Sequence, residues 1–479
     1  MQTVRMILGI ISSFFGVVVT LLALYQLYIS VFGFKRREKG YQDHPPQKRF
    51  LVLVPAHNEE TVIPDIIDNL NHMEYPKELY DFYIIADNCS DQTETVARQM
   101  GANVISLKKA SPNSPTGKPI ALNQALNVLE GYQDKYDLLM IFDADNLIDP
   151  NMFLEVNSQY ISENQPEFIQ CYLGAKNKKG IIAWFYYTSY TITNRFFQLS
   201  KSRLGLNCTI GGTGFAVDTK YLHGRGGWTT MSLTEDFEIQ VEATIAGKRI
   251  LWNHNVRVYD EKPTSAWASY KQRTRWAQGH WFVTLRNTRK VFQALKQSRI
   301  SGREAISILT YMYSLTCNVV VVFQFFTSFV FFIMDKITEA GQKATALAAT
   351  AMVTAEGVTD VATEAAQGGW VSTLISIAIL FYSFFLLFYM ADWMDNKVPM
   401  RIRTMPKMAL SFVLNVALAT CSQIVGLLRY RRQSQWVKTE HKIKRLEKSK
   451  EIHLPVRPKL LSNAAADPGD VPIAKASAK

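Results

Sequence analysis

Two aspartates separated by one small residue, in "DADN" at 143–146, can turn their oxygens toward one hard divalent cation while a ligand's phosphates complete its shell. A solvated turn or an Asx cap would use the same residues. Lys118 follows Gly117 at the start of a helical pattern, where free N–H groups and the helix dipole favour anions and a lysine adds a full charge. The spacing is not that of a phosphate-cradling GxxxxGK[ST] loop, so no nucleotide hydrolase is implied. "LTEDFEI", 233–239, sets Glu235, Asp236 and Glu238 at the head of another helical segment. Capping by Thr234 explains it blandly; a carboxylate among Leu233, Phe237 and Ile239 could equally serve as a general base. "KQRTRWAQGHWF", 271–282, puts Gln272, Arg275 and Trp276 on neighbouring helix positions. An arginine fork binds phosphate in a bidentate way, and an indole ring offers a stacking surface for a sugar. The glycines of "IGGTGFAV", 210–217, would let a ligand come close to the backbone at Gly212, although a tight turn looks identical.

Those residues need a frame that gathers them. "RFLVLVPAHNEE" opens with a buried strand that ends near Pro55, and "TVIPDIIDNLNHM" follows with helical spacing. "YDFYIIADNCSDQT" is a second strand delivering Asp87 at its carboxy end. "NVISL" is a third, and "KPIALNQALNVLEGY" reads as a helix. "YDLLMIFDADNLIDP" is a further strand ending in Asp143 and Asp145. Alternating strands and helices predict a mostly parallel sheet with helices on both faces. Ligands of such sheets lie at the carboxy ends of the strands, so Asp87, Asp143 and Asp145 should converge on one crevice.

The totals place this domain beside a membrane. The 479 residues are 48% apolar and 20% charged, and four segments approach bilayer-spanning composition: Met6–Phe34, Ile306–Met334, Trp370–Met390 and Met408–Leu428. The basic "FKRREKG", 34–40, predicts an uncleaved amino-terminal anchor with the central domain on the cytoplasmic side. The expected division is an anchor with its basic flank at 1–46, a catalytic domain at 47–290, an interfacial helix with carboxy-terminal membrane helices at 291–430, and a basic cytoplasmic tail at 431–479. Span parity conflicts with that tail unless one later segment is re-entrant or interfacial, or the Ala-rich stretch 341–368 also crosses, where Glu356, Asp360 and Glu364 are costly in lipid. Five scattered cysteines without CxxC spacing argue against a disulfide framework or a zinc site. The net charge of +12 is concentrated beside spans and in the tail, which points to anionic lipid headgroups and not to nucleic acid.

Taken in order, "VPAHNEE", "ADNCSDQT", "GK", "DADN", "GGTG", "TED" and "QRTRW" resemble the membrane-embedded family 2 glycosyltransferases, among them the cellulose, hyaluronan, chitin and poly-N-acetylglucosamine synthases. The motifs cover about residues 48–285. The resemblance implies an α/β GT-A-like cytoplasmic domain joined to an α-helical transmembrane region. It implies a nucleobase and ribose pocket at Pro55, His57, Asn58 and Glu59, with Asp87 receiving the uracil N–H and Lys118 near uracil and phosphates. Asp143 would contact the nucleotide and Asp145, with Asp143, a Mg²⁺ or Mn²⁺ ion. Asp236 would be the base, supported by Glu235. Gln272, Arg275 and Trp276 would hold the diphosphate and form the acceptor platform. The implied activity is inverting, processive transfer from UDP-glucose or UDP-N-acetylglucosamine to a growing glycan, coupled to export by a multi-pass plasma-membrane protein, with or without accessory subunits. Transfer of a single sugar to a lipid-linked acceptor is the alternative. A transporter with a regulatory nucleotide domain would leave "TED" and "QRTRW" unexplained. Two departures bear on the nucleobase: Ala86 stands where many relatives have a second acid, and Cys89 replaces a usual serine. "WVKTEH", 436–441, is similar to a segment that follows the last membrane element in many relatives, and the tail from about 451 reads as mobile.

Overall fold

Side chains alternating between two buried faces of the strand Phe50–Ala56 organise the catalytic part of the chain. Phe50, Val52 and Val54 face one apolar layer with Ile63, Ile66 and Phe153, while Leu51 and Leu53 face another with Leu122, Leu126 and Ile239. This period of two lets one strand serve two cores, so helices cover both sheet faces as expected. The computed structural model describes residues 2–35, 39–109, 111, 116–350, 361–399 and 401–433. The expectations for "WVKTEH" and the tail, and for residues 351–360 of the Ala-rich stretch, lie outside the described residues.

The sheet has eight strands: β1 (Phe50–Ala56), β2 (Tyr80–Asp87), β3 (Asn103–Leu107), β4 (Leu138–Ile141), β5 (Leu147–Ile148), β6 (Phe168–Ala175), β7 (Phe215–Asp218) and β8 (Ile250–Asp260). Their order is β3-β2-β1-β4-β7-β6-β8-β5. The β3-β2-β1-β4 half is parallel, as the alternation predicts. The other half is mixed, with six of the eight strands still running one way, as expected of a mostly parallel sheet: β5 runs antiparallel to β8, and β7 antiparallel to both β4 and β6. The cause is local. Gly214 N bonds to Ile141 O at 2.9 Å, so the glycine loop already lies at the carboxy end of β4 when β7 begins. The chain can only run back.

Helix Glu235–Ile245 and the long helix Ala266–Lys296 close the crevice. Phe237, Val241 and Ile245 of the first meet Val283, Val291 and Ala294 of the second in a separate apolar cluster that also takes in Ala305, Ile308 and Met312. The expected span Ile306–Met334 is therefore not one helix. It is divided at Tyr313 between helices Gly302–Met312 and Ser314–Thr350, because the buried stripe of the first belongs to this soluble-type core. Among the described residues, Thr3–Phe34 and Ile402–Leu428 are long and apolar enough to cross a membrane. Met6, Ile10, Phe14, Leu21 and Leu24 of the first are exposed. Such a large bare apolar surface is uncommon on a helix that meets only water.

Candidate active site

The turn after β4 is built by its own side chains. Asn146, fully buried, accepts from Asp143 N at 3.1 Å through Oδ1, and the Thr213 hydroxyl bonds both to that oxygen and to Asp143 N. Buried Ala144 leaves room for the turn to fold against the sheet. Asp145 is oriented from the far end of β8, where Glu261 N donates to its Oδ2 at 3.1 Å. The loop carrying Gly211, Gly212 and Gly214 is clamped by two buried glutamines: Gln170 Oε1 accepts from Gly211 N at 2.9 Å and Gln240 Oε1 from Ile210 N at 3.0 Å. Lys118 spans from the helix start to both loops, donating to Asp143 Oδ1 at 2.5 Å and to Gly212 O at 2.6 Å.

Opposite these loops, the Thr234 hydroxyl makes no capping bond, so capping does not account for "TED". Asp236 Oδ1 accepts from Phe237 N at 2.8 Å, which turns the carboxylate toward the helix start. Glu238 has a structural job, since its Oε2 accepts from Met231 N at 3.1 Å and Ser232 N at 2.9 Å. Two glycines let these parts meet. Gly212 has φ +80°, and a Cβ there would stand 3.0 Å from Asp236 Oδ2. A Cβ at Gly279 would stand 2.5 Å from Thr234 Oγ1 and 2.7 Å from Thr234 N. Burial holds Glu235 and Asp236 above the ordinary carboxylate range, the Asp236 charge lifts Glu235 further, and Lys118 and Arg275 oppose both shifts. For Lys118 burial pulls downward, but the charges of Asp143, Glu235 and Asp236 outweigh it, and the ammonium form is favoured. On helix Ala266–Lys296, Gln272 Oε1 accepts from Tyr186 OH at 3.2 Å, and Trp276 meets the Tyr186 ring edge-on with centroids 6.3 Å apart.

The opposite end is made by the carboxy ends of β1 and β2. His57 Nδ1 lies 2.6 Å from Asp87 O. A carbonyl can only accept, so Nδ1 carries a proton. Burial raises Asp87, which Asn88 partly offsets by donating to its Oδ1 at 2.5 Å. Pro55, His57, Glu59, Asp87, Lys118, Asp143, Asp145, Gly212, Glu235, Asp236, Gln272, Arg275 and Trp276 all line one cavity of about 1600 Å³. Asn58 instead stands behind the wall, with φ 58° and Oδ1 accepting from Ser90 N at 2.7 Å.

Several further residues line the cavity. His280 stacks on Phe237 with centroids 4.3 Å apart, bonds through Nε2 to Met312 O at 2.8 Å, and is pushed down to about 4 by burial. It steadies the helix turn that carries Asp236. Asp260, at the end of β8, lines the same cavity and pairs with buried Lys262 at 2.6 Å. The alternation of "VRVYD" into an acid was a legible signal of the kind that located Asp87. Gln423 and Gln433 come from the end of helix Met405–Leu428 and just beyond it, and Gln433 accepts from Leu233 N at 2.9 Å.

The donor chemistry fits a hard cation. Asp143, Asp145, Glu235 and Asp236 line the same cavity as the cations Lys118 and Arg275. Among the described residues no group of three or more His, Cys, Asp or Glu side chains forms a metal cage. Magnesium is commonly held in this way, by one or two carboxylates completed with phosphate oxygens and water.

Comparison with known proteins agrees with this geometry. Residues 45–279 match the family described as "Glycosyltransferase like family 2". The β-monoglucosyldiacylglycerol synthase of Trichormus variabilis is 30% identical over 51% of this chain and 53% of its own length, so the chain spans about half of that relative. The poly-β-1,6-N-acetyl-D-glucosamine synthase of Staphylococcus epidermidis is 24% identical over 62% of this chain and 72% of its own. Among solved structures, the mannosyltransferase PcManGT from Pyrobaculum calidifontis, in complex with GDP-Man and Mn²⁺, superimposes with a TM-score of 0.54 over 91% of this chain and 99% of that one, at 15% identity, a likeness of fold. With its mixed sheet of GT-A type and its match at 45–279, this part of the chain is a family 2 glycosyltransferase domain.

Proposed function

We propose that the chain transfers a sugar from UDP-glucose or UDP-N-acetylglucosamine to a hydroxyl of a growing β-linked polysaccharide, with inversion at the anomeric carbon. The observation that carries this reading is the gathering of Asp145, Asp236 and the adjacent Arg275 and Trp276 on one cavity from three separate stretches of chain. Asp236 takes the proton of the acceptor hydroxyl as its oxygen bonds to the anomeric carbon and the bond from that carbon to the diphosphate breaks. Attack opposite the leaving group turns an α-linked donor into a β-linked product. Glu235 supports the base from the adjacent position. Lys118 and Arg275 offer fixed positive charge to the diphosphate as it takes up negative charge. Asp145 with Asp143 would hold Mg²⁺ or Mn²⁺, which adds to that stabilisation when bound. Pro55, His57, Glu59 and Asp87, backed by Asn58, receive the nucleoside. Gly212 keeps the backbone low beneath the sugar, and Gln272 and Trp276 form the acceptor platform.

The cavity also reaches Ser314, Leu315, Ala419 and Ser422, on helices that follow the platform, which supports extrusion of a polymer along them. We read the chain as a multi-pass plasma-membrane protein with residues 47–290 as its cytoplasmic catalytic domain, residues 1–46 as an anchor and residues 291–430 as the membrane portion. A second reading, addition of one sugar to a lipid acceptor, is favoured by the 30% identity to a β-monoglucosyldiacylglycerol synthase. The full chain in detergent, incubated with each labelled UDP-sugar and followed by product sizing, tests both. Long β-linked chains are expected; a single added residue per acceptor would reject the polymerase reading in favour of the second.

A further inference from the structure

The cavity contains a buried amide that the mechanism above does not use. Gln423 lines it, is 5% exposed, and its Oε1 has no hydrogen-bond partner. Its neighbours are occupied: Ser422 Oγ donates to Leu418 O at 2.7 Å and Ser314 Oγ to Tyr311 O at 2.7 Å. A buried carbonyl left unpaired is costly, and a free helix would rotate to hydrate it. This one is held in place. Ser422 Oγ reaches Tyr270 O at 3.4 Å, and a Cβ at Gly426 would stand 2.4 Å from Ala277 Cβ. Contacts on either side of Gln423 thus lock its helix against residues 270–277, the stretch that carries Gln272, Arg275 and Trp276.

We propose that Gln423 Oε1 accepts a hydrogen bond from a second hydroxyl of the acceptor sugar, making it an acceptor-specificity residue. The attacking hydroxyl is served by Asp236, so a partner for Gln423 needs a further hydroxyl on the same acceptor. A glycan end supplies one; a diacylglycerol, with its single hydroxyl, does not. The inference deepens the proposed function and rests on it.

The test compares the wild-type full chain, Gln423→Met and Gln423→Glu in detergent, using cellobiose, chitobiose and dioleoylglycerol as acceptors. In Gln423→Met, KM for the disaccharide that the wild type uses should rise about tenfold or more, with kcat within about threefold and UDP affinity within about twofold. Gln423→Glu keeps a carbonyl-type acceptor and should recover most of the loss. The Gln423→Met melting temperature should hold or rise, since an unpaired buried group has been removed, whereas a structural glutamine would lower it. An unchanged disaccharide KM overturns the inference, as do a parallel loss of UDP binding, a lowered melting temperature, or a wild type that uses dioleoylglycerol alone. A wild-type chain that binds no UDP sinks the donor reading, and the inference falls with it.

Discussion

Two clusters of buried charge differ in how their charges are compensated. In one, Asp395 of helix Val361–Asn396 is bonded to Arg195 and to His254 Nε2 at 3.1 Å, and Arg257 donates to Asp395 O at 3.1 Å and to Asn396 Oδ1 at 2.5 Å. Two guanidinium groups thus face Asp395, while the neighbouring Asp392 accepts from Tyr187 OH and Asn396 Nδ2. Burial alone would raise Asp395, but His254 and then the two arginines overcome it and hold the carboxyl down at about 2. In the other, Glu235 and Asp236 share a wall with Asp143 and Asp145 against Lys118 and Arg275, and burial prevails. The first arrangement ties β8 and the π-helical segment Asn194–Leu199 to a helix outside the sheet. The second holds charge that is uncomfortable until a substrate arrives. Compensated burial fixes structure, and uncompensated burial stores reactivity.

The largest expected effect separates the two directly. Asp236→Asn should lower transfer by about 10²- to 10⁴-fold, the range for loss of a general base, while UDP binding persists. It should also melt at a higher temperature than the wild type: a carboxyl whose pKa is raised on folding opposes the folded state once ionised, and the amide removes that opposition. Steady-state transfer and thermal melting on the same preparations check this pair of outcomes. Unaltered transfer would remove Asp236 from the mechanism.

Asp395→Asn should do the reverse. Leaving Arg195 buried without its anion costs about 3–5 kcal/mol, read as a lowered melting temperature, with activity per folded molecule retained. The pH dependence has a definite sign. Because the folded carboxyl lies at about 2, below its unfolded value, the stabilisation is complete above the unfolded pKa and is lost as pH falls toward 2. Asp395→Asn should therefore flatten the acid limb of the wild-type stability curve. A variant that is inactive but as stable as the wild type would contradict the contrast.

Gly279→Ala tests the geometry between the two helices of the site. Its methyl would meet Thr234 Oγ1 at 2.5 Å and the Thr234 backbone nitrogen at 2.7 Å, so the backbone must shift. Overpacking of this kind costs about 1–3 kcal/mol. Since Thr234 immediately precedes Glu235 and Asp236, kcat should fall more than donor affinity does. Gly224→Ala, with nothing within 4 Å of its Cβ, is the matched control for melting and turnover.

What could be read beforehand divides along physical lines. Apolar runs ending in acids located β2 and β4 with their aspartates, because a buried strand must be apolar throughout and its ligand-facing end is where that rule stops. The order of motifs then named thirteen of the residues that line the cavity. Asn58 went the other way: its left-handed backbone and its bond to Ser90 serve the turn, and no spacing distinguishes a turn asparagine from a ligand asparagine. The reversal of β7 was invisible because a strand's direction follows from where its preceding loop is anchored, here at Ile141, and this is a long-range contact. The division at Tyr313 was hidden for a related reason. Ile306–Met312 is as apolar as a span, and only the facing residues Phe237 and Val283 reveal it as core. Gln423 has no pattern around it at all; its interest lies in a missing partner, which only packing can expose.

The smallest effect concerns the coupling of the two site acids, and it discriminates most finely. Asp236 must be ionised to accept a proton, and burial raises its pKa, so transfer should increase with pH along a limb that lies above the ordinary carboxylate range. Glu235 is raised by the same burial and then by the Asp236 charge, so the limb belongs to the pair and not to either residue. Glu235→Gln leaves one titrating acid with Lys118 and Arg275 still opposing its burial. The acid limb of kcat/KM should then become shallower and move to lower pH, with little change at the plateau. A limb that stays in place would mean that the two carboxyls ionise independently, and that desolvation by the closed wall, without repulsion between neighbours, sets the pH at which the base becomes available.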